Sequence, residues 1–264
     1  MQTTAKTSSS QQDYFPKDIL ISVIMPVFNT GQWFDESYQS VLTQAIDFEI
    51  LVVDDGSVND TFEILSAFAK ADERIRLYRN ESNRGVAYSR NLALENARGD
   101  YLAFLDCGDV WLPGKLSAQI TSMTATGSQL SYSGYQYFDS DMQRVIRTYR
   151  VPATVSYRDL LKENCLGCST VLIKRQPQVL HFDEAFFHED YVLWLSLLKR
   201  GVRFVGLPDV TTKYRVGGRS QNKSKAARNR WRVLRQSEQL NLLSSSYYFM
   251  NYALRSTAKY LRRR

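Results

Sequence analysis

Histidine is nearly missing from this chain, with two residues in 264, and cysteine is scarce, with three. Cys107, Cys165 and Cys168 are too few for a disulfide scaffold, which suits a reducing compartment. The pair Cys165-Leu166-Gly167-Cys168 has ligand-like spacing but no second pair, so neither a zinc centre nor a redox couple is expected. Six prolines and thirteen glycines exclude a collagen-like or low-complexity chain. No apolar run reaches the roughly 18 residues that a membrane-spanning helix needs. The polar opening stretch lacks the apolar segment of a secretory signal, so residues 1–17 are expected to form a flexible leader on a cytoplasmic protein. No G-x-G-x-x-G follows the first strand-like run and no G-x-x-x-x-G-K-[ST] occurs, which excludes a dinucleotide fold and a P-loop.

Acidic residues are missing from one region in particular. Residues 199–264 hold 17 of the 34 Lys and Arg but only Asp209 and Glu238 of the 27 acids. That segment is therefore +15, whereas the preceding 198 residues are −8. An acidic body with a basic tail implies an anionic partner: phosphate, nucleic acid or a membrane surface. What remains is ordinary globular composition, 44% hydrophobic and 23% charged, in a chain long enough to bury a sizeable core.

Strand and helix signals alternate through the first hundred residues. Ile19–Val27 is a β-branched apolar run, Phe34–Gln44 carries a helical stripe, and Phe48–Val53 is a second buried strand. A helix from Asp60-Thr61 to Ala71, a strand over Ile75–Tyr78, a helix over Gly85–Ala97 and a strand over Tyr101–Leu105 follow. Such alternation predicts an α/β fold with a mostly parallel sheet. Ligands gather at the C-terminal ends of strands in these sheets. There the chain places Pro26-Val27-Phe28-Asn29, Asp54-Asp55-Gly56-Ser57 and Asp106-Cys107-Gly108-Asp109. Acidic strand ends repel a bare phosphate but suit the donor groups of a base and ribose, and a cation that carries a diphosphate.

The strings VIMPVFN, FEILVVDDGSVNDT, NRGVAYSRNLALENARGDYLAFLD, WLPGKL and HEDYVLWLSLL occur in that order. Together they resemble the inverting glycosyltransferases of family 2, which have the GT-A fold, over roughly residues 20–220. The resemblance implies a donor half over residues 18–112 and an acceptor half over 113–222, with a nucleotide-sugar, usually UDP-linked, in the first. It implies that Pro26, Val27 and Asn29 line the nucleotide pocket and that Asp55 or Asp54 accepts from the base. Arg84 and Arg90 lie in the stretch that closes over the nucleotide and would pair with diphosphate oxygens. Asp106 fits the ribose and metal-shell role, so Mg2+ or Mn2+ is the implied cofactor.

This chain departs from the family at the metal motif, where Gly108 replaces the usual carboxylate and Asp109 comes one residue late. Asp109 would reach an ion only through loop rotation or a water, and Gly108→Asp is expected to strengthen ion dependence. In His188-Glu189-Asp190 the resemblance implies that Asp190 is the catalytic base, beside Glu189, with His188 near acceptor or phosphate. Arg215 and Arg219 fall in a stretch like the loop that covers the donor. Residues 223–264 are expected to form a basic amphipathic helical tail on an anionic membrane face. The implied acceptor is a glycan or polyprenyl-linked glycan for a surface polysaccharide. Two other classes stay open: a nucleic-acid-binding protein, which leaves the acidic strand ends unexplained, and a catalytically impaired scaffold, which Gly108 motivates.

Overall fold

The computed structural model describes residues 19–175, 180–216 and 223–261, with side chains of residues 224–255 in the last stretch. The apolar runs near the N-terminus become β1 (Leu20–Val27) and β2 (Asp47–Asp54), each buried along seven of its eight residues. Continuous burial is what a strand covered on both faces requires. Helix α1 (Phe34–Leu42) connects them, and α2 (Thr61–Ala71) leads to β3 (Ile75–Arg79). Helix α3 (Val86–Asn96) then carries the chain back to β4 (Tyr101–Phe104), which pairs with the other side of β1. These four strands run parallel in the order β3-β2-β1-β4.

The second half extends the same sheet with mixed polarity. It contains β5 (Val110–Trp111), α4 (Lys115–Thr126), β6 (Leu130–Phe138), β7 (Val145–Tyr149) and α5 (Tyr157–Lys162). It continues with β8 (Leu172–Lys174), α6 (Glu189–Lys199) and β9 (Phe204–Arg215). The described sheet reads β3-β2-β1-β4-β8-β6-β9-β5, with β7 hydrogen-bonded to β6. Alternation along the strands builds two cores. Val23 and Met25 face Phe34, Val41 and Leu116 on one side, while Ile24, Leu51 and Val53 join Phe104, Phe182 and Trp194 on the other. Phe104, Phe182 and Trp194 meet edge to face at 5.5–6.4 Å, which clamps α6 to the end of β4.

The basic tail is folded onto this body. Helix α7 (Lys223–Arg232) runs through one π-helical turn, Val233–Ser237, into α8 (Leu242–Leu261). Val233 and Leu234 are fully buried, and Arg230, 5% exposed, donates to the Leu160 and Leu161 carbonyls near the end of α5. Glu238 accepts from Tyr157 Oη at 2.6 Å and pairs with Lys199 at 3.0 Å, and Arg255 pairs with Glu163 at 2.9 Å. The tail expected on a membrane face therefore has one side packed on the body, where it forms an integral wall of the second half of the fold. Leu242, Leu243, Tyr247, Met250 and Leu254 stay exposed. No helix among the described residues is long and apolar enough to cross a membrane.

Candidate active site

The strand order reverses beside β1: the chain runs from β1 out through β2 to β3 and returns to β4 on the other side of β1, and the crevice lies at that switch. Val27 pairs in register with Asp54, so the first two strand ends finish level. Asn29, in a left-handed conformation with φ 55°, donates from its backbone to Ser57 Oγ and accepts from Val58 N. Those two bonds lock the loops after β1 and β2 together. Pro26 and Val27 are buried beneath them and form the wall, and the group they leave at the rim is Phe28, 41% exposed.

Asp54, the last residue of β2, and Asp55 after it are both buried. Asp54 pairs with Arg79 at 3.2 Å and caps Ser57 N at 3.1 Å. Asp55 accepts from Asn80 Nδ2 at 2.8 Å and from the backbone N–H groups of Arg84 and Gly85 at 2.9 and 2.8 Å. It therefore fixes the loop that starts α3. The Arg84 guanidinium lies 3.6 Å over the Tyr88 ring and is exposed.

Arg90 departs from its expected role. It is 2% exposed and does not face a diphosphate: one nitrogen donates to Asp106 Oδ1 at 2.5 Å and another to Glu189 Oε1 at 2.6 Å. A guanidinium fork satisfied by two carboxylates is a strut, and this one joins α3, the end of β4 and the start of α6. Glu189, 3% exposed, is correspondingly a positioning group.

Asp190 follows at the N-terminal end of α6, half-buried, with Oδ1 accepting from Tyr191 N at 2.7 Å. Burial first, and repulsion from Glu189 second, push its carboxyl up to about 7, against the opposing pull of Arg90. A carboxylate tuned to neutrality is matched to taking a proton at physiological pH. His188 is the N-cap of α6, with its ring 5.0 Å from that of Phe187.

The turn after β4 divides its two aspartates. Asp106 keeps 41% of its side chain exposed at the crevice. Asp109 is 6% exposed, accepts from Ser169 Oγ at 2.6 Å and from Arg215 N at 3.2 Å. Burial, reinforced by Asp106, holds its carboxyl well above the usual carboxylate range, and both of its oxygens already accept hydrogen bonds. The reading of Asp109 as an ion ligand is thereby corrected to a role in fixing the turn. Gly108 has φ 101°, and a Cβ there would meet Trp33 at 3.3 Å and Arg215 at 3.4 Å, so the backbone itself disfavours the family's carboxylate at this position. Among the described residues no three His, Cys, Asp or Glu side chains converge on a metal position.

Arg215 is likewise engaged. Its guanidinium bonds Glu36 and the carbonyls of Gly108 and Ser140 and lies 5.1 Å over Trp33, so it straps the turn instead of facing the crevice. Arg219 lies outside the described residues. Sequence reasoning missed Ser169, whose hydroxyl accepts from Asp106 N at 3.2 Å while donating to Asp109. Nothing local marks such a serine; it lies 63 positions from Asp106.

Residues 22–181 match the model of glycosyl transferase family 2. The chain belongs to that family. It is 36% identical over 246 residues to TuaG of Bacillus subtilis, a glycosyltransferase assigned to teichuronic acid biosynthesis, covering 92% of this chain and 98% of that one. It is also 36% identical to WfgD of Escherichia coli, covering 89% and 92%. WfgD is described as a UDP-Glc:α-D-GlcNAc-diphosphoundecaprenol β-1,3-glucosyltransferase. Among solved structures, Staphylococcus aureus TarS residues 1–349 with UDP-GlcNAc superposes at TM-score 0.66 with 18% identity, over 88% of this chain and 71% of that one. The Pyrobaculum calidifontis mannosyltransferase PcManGT, solved with GDP-Man and Mn2+, superposes at 0.65 with 16% identity, over 90% and 74%. The fold of this glycosyltransferase is GT-A, with one sheet that is parallel over its first four strands and mixed beyond them.

Proposed function

We propose that the chain transfers a sugar, with inversion, from a UDP-sugar to a sugar carried on a polyprenyl diphosphate, for a cell-surface polysaccharide. The observation that carries this reading is Asp190: one carboxyl tuned to about 7 and tied, through Arg90 and Glu189, to the Asp106 end of the crevice. Asp190 takes the proton of the acceptor hydroxyl as its oxygen attacks the anomeric carbon. The bond from that carbon to the diphosphate oxygen breaks on the opposite face, and its electron pair leaves with the nucleoside diphosphate. Asp55, with Phe28 at the rim, holds the base, and Asp106 faces the ribose and diphosphate. Asp106 is the residue that would hold a divalent ion brought in with the diphosphate, and such an ion would neutralise charge on the leaving group; magnesium commonly uses one or two carboxylates beside substrate phosphates. The name of WfgD supports the acceptor class, and that of TuaG the polysaccharide product.

Proton NMR of the product formed from an α-linked UDP-sugar tests the reading. A β linkage is expected, and an α linkage would overturn inversion and the role of Asp190 with it. The exposed stripe on α8 beside a +15 segment further supports peripheral attachment to an anionic cytoplasmic membrane face.

A further inference from the structure

Beside the crevice, between the start of α3 and the tail helix α7, lies a cavity of about 430 Å3. Its volume is within the roughly 300–1,000 Å3 of small-ligand sites. Arg84, Lys225, Arg228 and Arg232 line it, against the carboxylates of Glu184 and Glu189. Glu189 is held by Arg90, which leaves cationic character dominant. Lys225 lies 4.3 Å over the Phe187 ring and Arg232 5.7 Å over Phe186, so two of the cations rest on an aromatic floor of the same cavity. Val86 and Ala87, also in the lining, belong to the first turn of α3, which has no side-chain cap and no acidic residue. The Asp55 carboxylate already meets this helix end at Arg84 N and Gly85 N, so the cationic character of the site comes from its side chains.

The cavity touches both parts of the catalytic apparatus. Asp55 fixes its Arg84-Gly85 wall from the donor side, and Glu189 immediately precedes the base. Because Glu189 lines the cavity and adjoins Asp190, a sugar whose hydroxyl meets Asp190 would lie beside this wall. From this geometry, and resting on the acceptor class of the proposed function, we infer that the cavity binds the diphosphate of the lipid-linked acceptor. It is a site distinct from that of the donor diphosphate. The basic block of α7 thus acts first as an acceptor-diphosphate clamp, and the membrane-facing stripe belongs to α8.

Calorimetry on the full chain separates the two diphosphates, with farnesyl diphosphate as the acceptor probe, farnesol as the uncharged control, and UDP as the donor probe. Farnesyl diphosphate is expected to bind with UDP already saturating, and farnesol at least tenfold more weakly. Arg228→Glu and Arg232→Gln are each expected to weaken farnesyl diphosphate tenfold or more, with the UDP Kd changed less than twofold and the melting temperature retained. Mutual exclusion of UDP and farnesyl diphosphate, with both weakened by these variants, would assign the cavity to the donor and overturn the inference. So would equal binding of farnesol, or indifference to both variants. These outcomes are separable from failure of the proposed function. Loss of the cavity assignment leaves β-linked transfer intact, whereas absence of transfer leaves the calorimetry standing.

Discussion

In the proposed mechanism a single proton, on Asp190, decides the activity. With its carboxyl raised to about 7, the group is protonated and useless as a base at lower pH and competent above it. The rate of transfer under donor saturation is therefore expected to rise through about pH 7 and level off above it. Asp190→Asn preserves the acceptor for Tyr191 N and removes the base. It should lower kcat by about 10²–10⁴-fold while leaving the UDP Kd unchanged in calorimetry. The sign for stability is opposite. A carboxyl whose folded pKa lies above its unfolded value destabilises the fold increasingly as pH rises from about 4 to 7, because the unfolded chain gives up the proton first. The Asn variant should accordingly melt higher than the parent at pH 8 and not at pH 4. A variant that loses UDP binding in parallel with rate would place Asp190 on the donor side. Arg90 belongs to the same scale. Replacing it with Leu leaves Asp106 and Glu189 without their shared cation, and removing one partner of a buried pair costs about 3–5 kcal/mol. Urea unfolding should show that loss; a loss below about 1 kcal/mol would deny the strut.

The turn from β4 to β5 shows why an element can hold information its sequence hides. Gly108 departs from the family's spacing, and the natural expectation is that Gly108→Asp restores an ion site. The structure predicts otherwise, since φ 101° and the contacts with Trp33 and Arg215 make any Cβ strained there, at about 1–3 kcal/mol. Denaturation midpoints should fall in this variant, and titration with Mn2+ should show no tighter ion requirement. Tightened dependence would restore the family role to position 108. The strands and helices themselves were legible because their signals are local. Ile19–Val27 reads as a strand and forms one over Leu20–Val27; the helix read over Gly85–Ala97 forms over Val86–Asn96. The helix start at His188-Glu189-Asp190 was legible for the same reason, and the structure places it at the head of α6. Arg90 and Asp109 were not, because their partners stand 99 and 106 positions away, and only the folded sheet joins them. A short-range pattern names the residue type at a site; the pairing that decides whether its charge is spent or available is a tertiary fact.

At the scale of the whole molecule, the tail divides its labour between two faces. Val233 and Leu234 close the core, whereas Leu243, Tyr247, Met250 and Leu254 recur along α8 at intervals of four, three and four residues and are 55–84% exposed. That spacing draws one stripe down a helix. A stripe of large apolar groups, on a segment with 17 basic and two acidic residues, fits an anionic bilayer surface, where each Lys or Arg near the headgroups contributes about 1 kcal/mol. Triple replacement of Leu243, Met250 and Leu254 by Ser separates attachment from folding, since none of the three is buried in the core. At a little over 1 kcal/mol for each side chain kept from the acyl boundary, partitioning onto vesicles containing phosphatidylglycerol should fall by about 10²-fold. The melting temperature should not move, and transfer to a short-chain, water-soluble acceptor should be retained. Attachment of the parent should also weaken as salt shortens the reach of the basic residues, whose field extends about 8 Å at 0.15 M. If the triple variant sediments with vesicles as well as the parent does, the stripe does not touch lipid. The exposed face of α8 would then have to be covered by protein, which sedimentation velocity without lipid would reveal as a larger species that the same three substitutions dissociate.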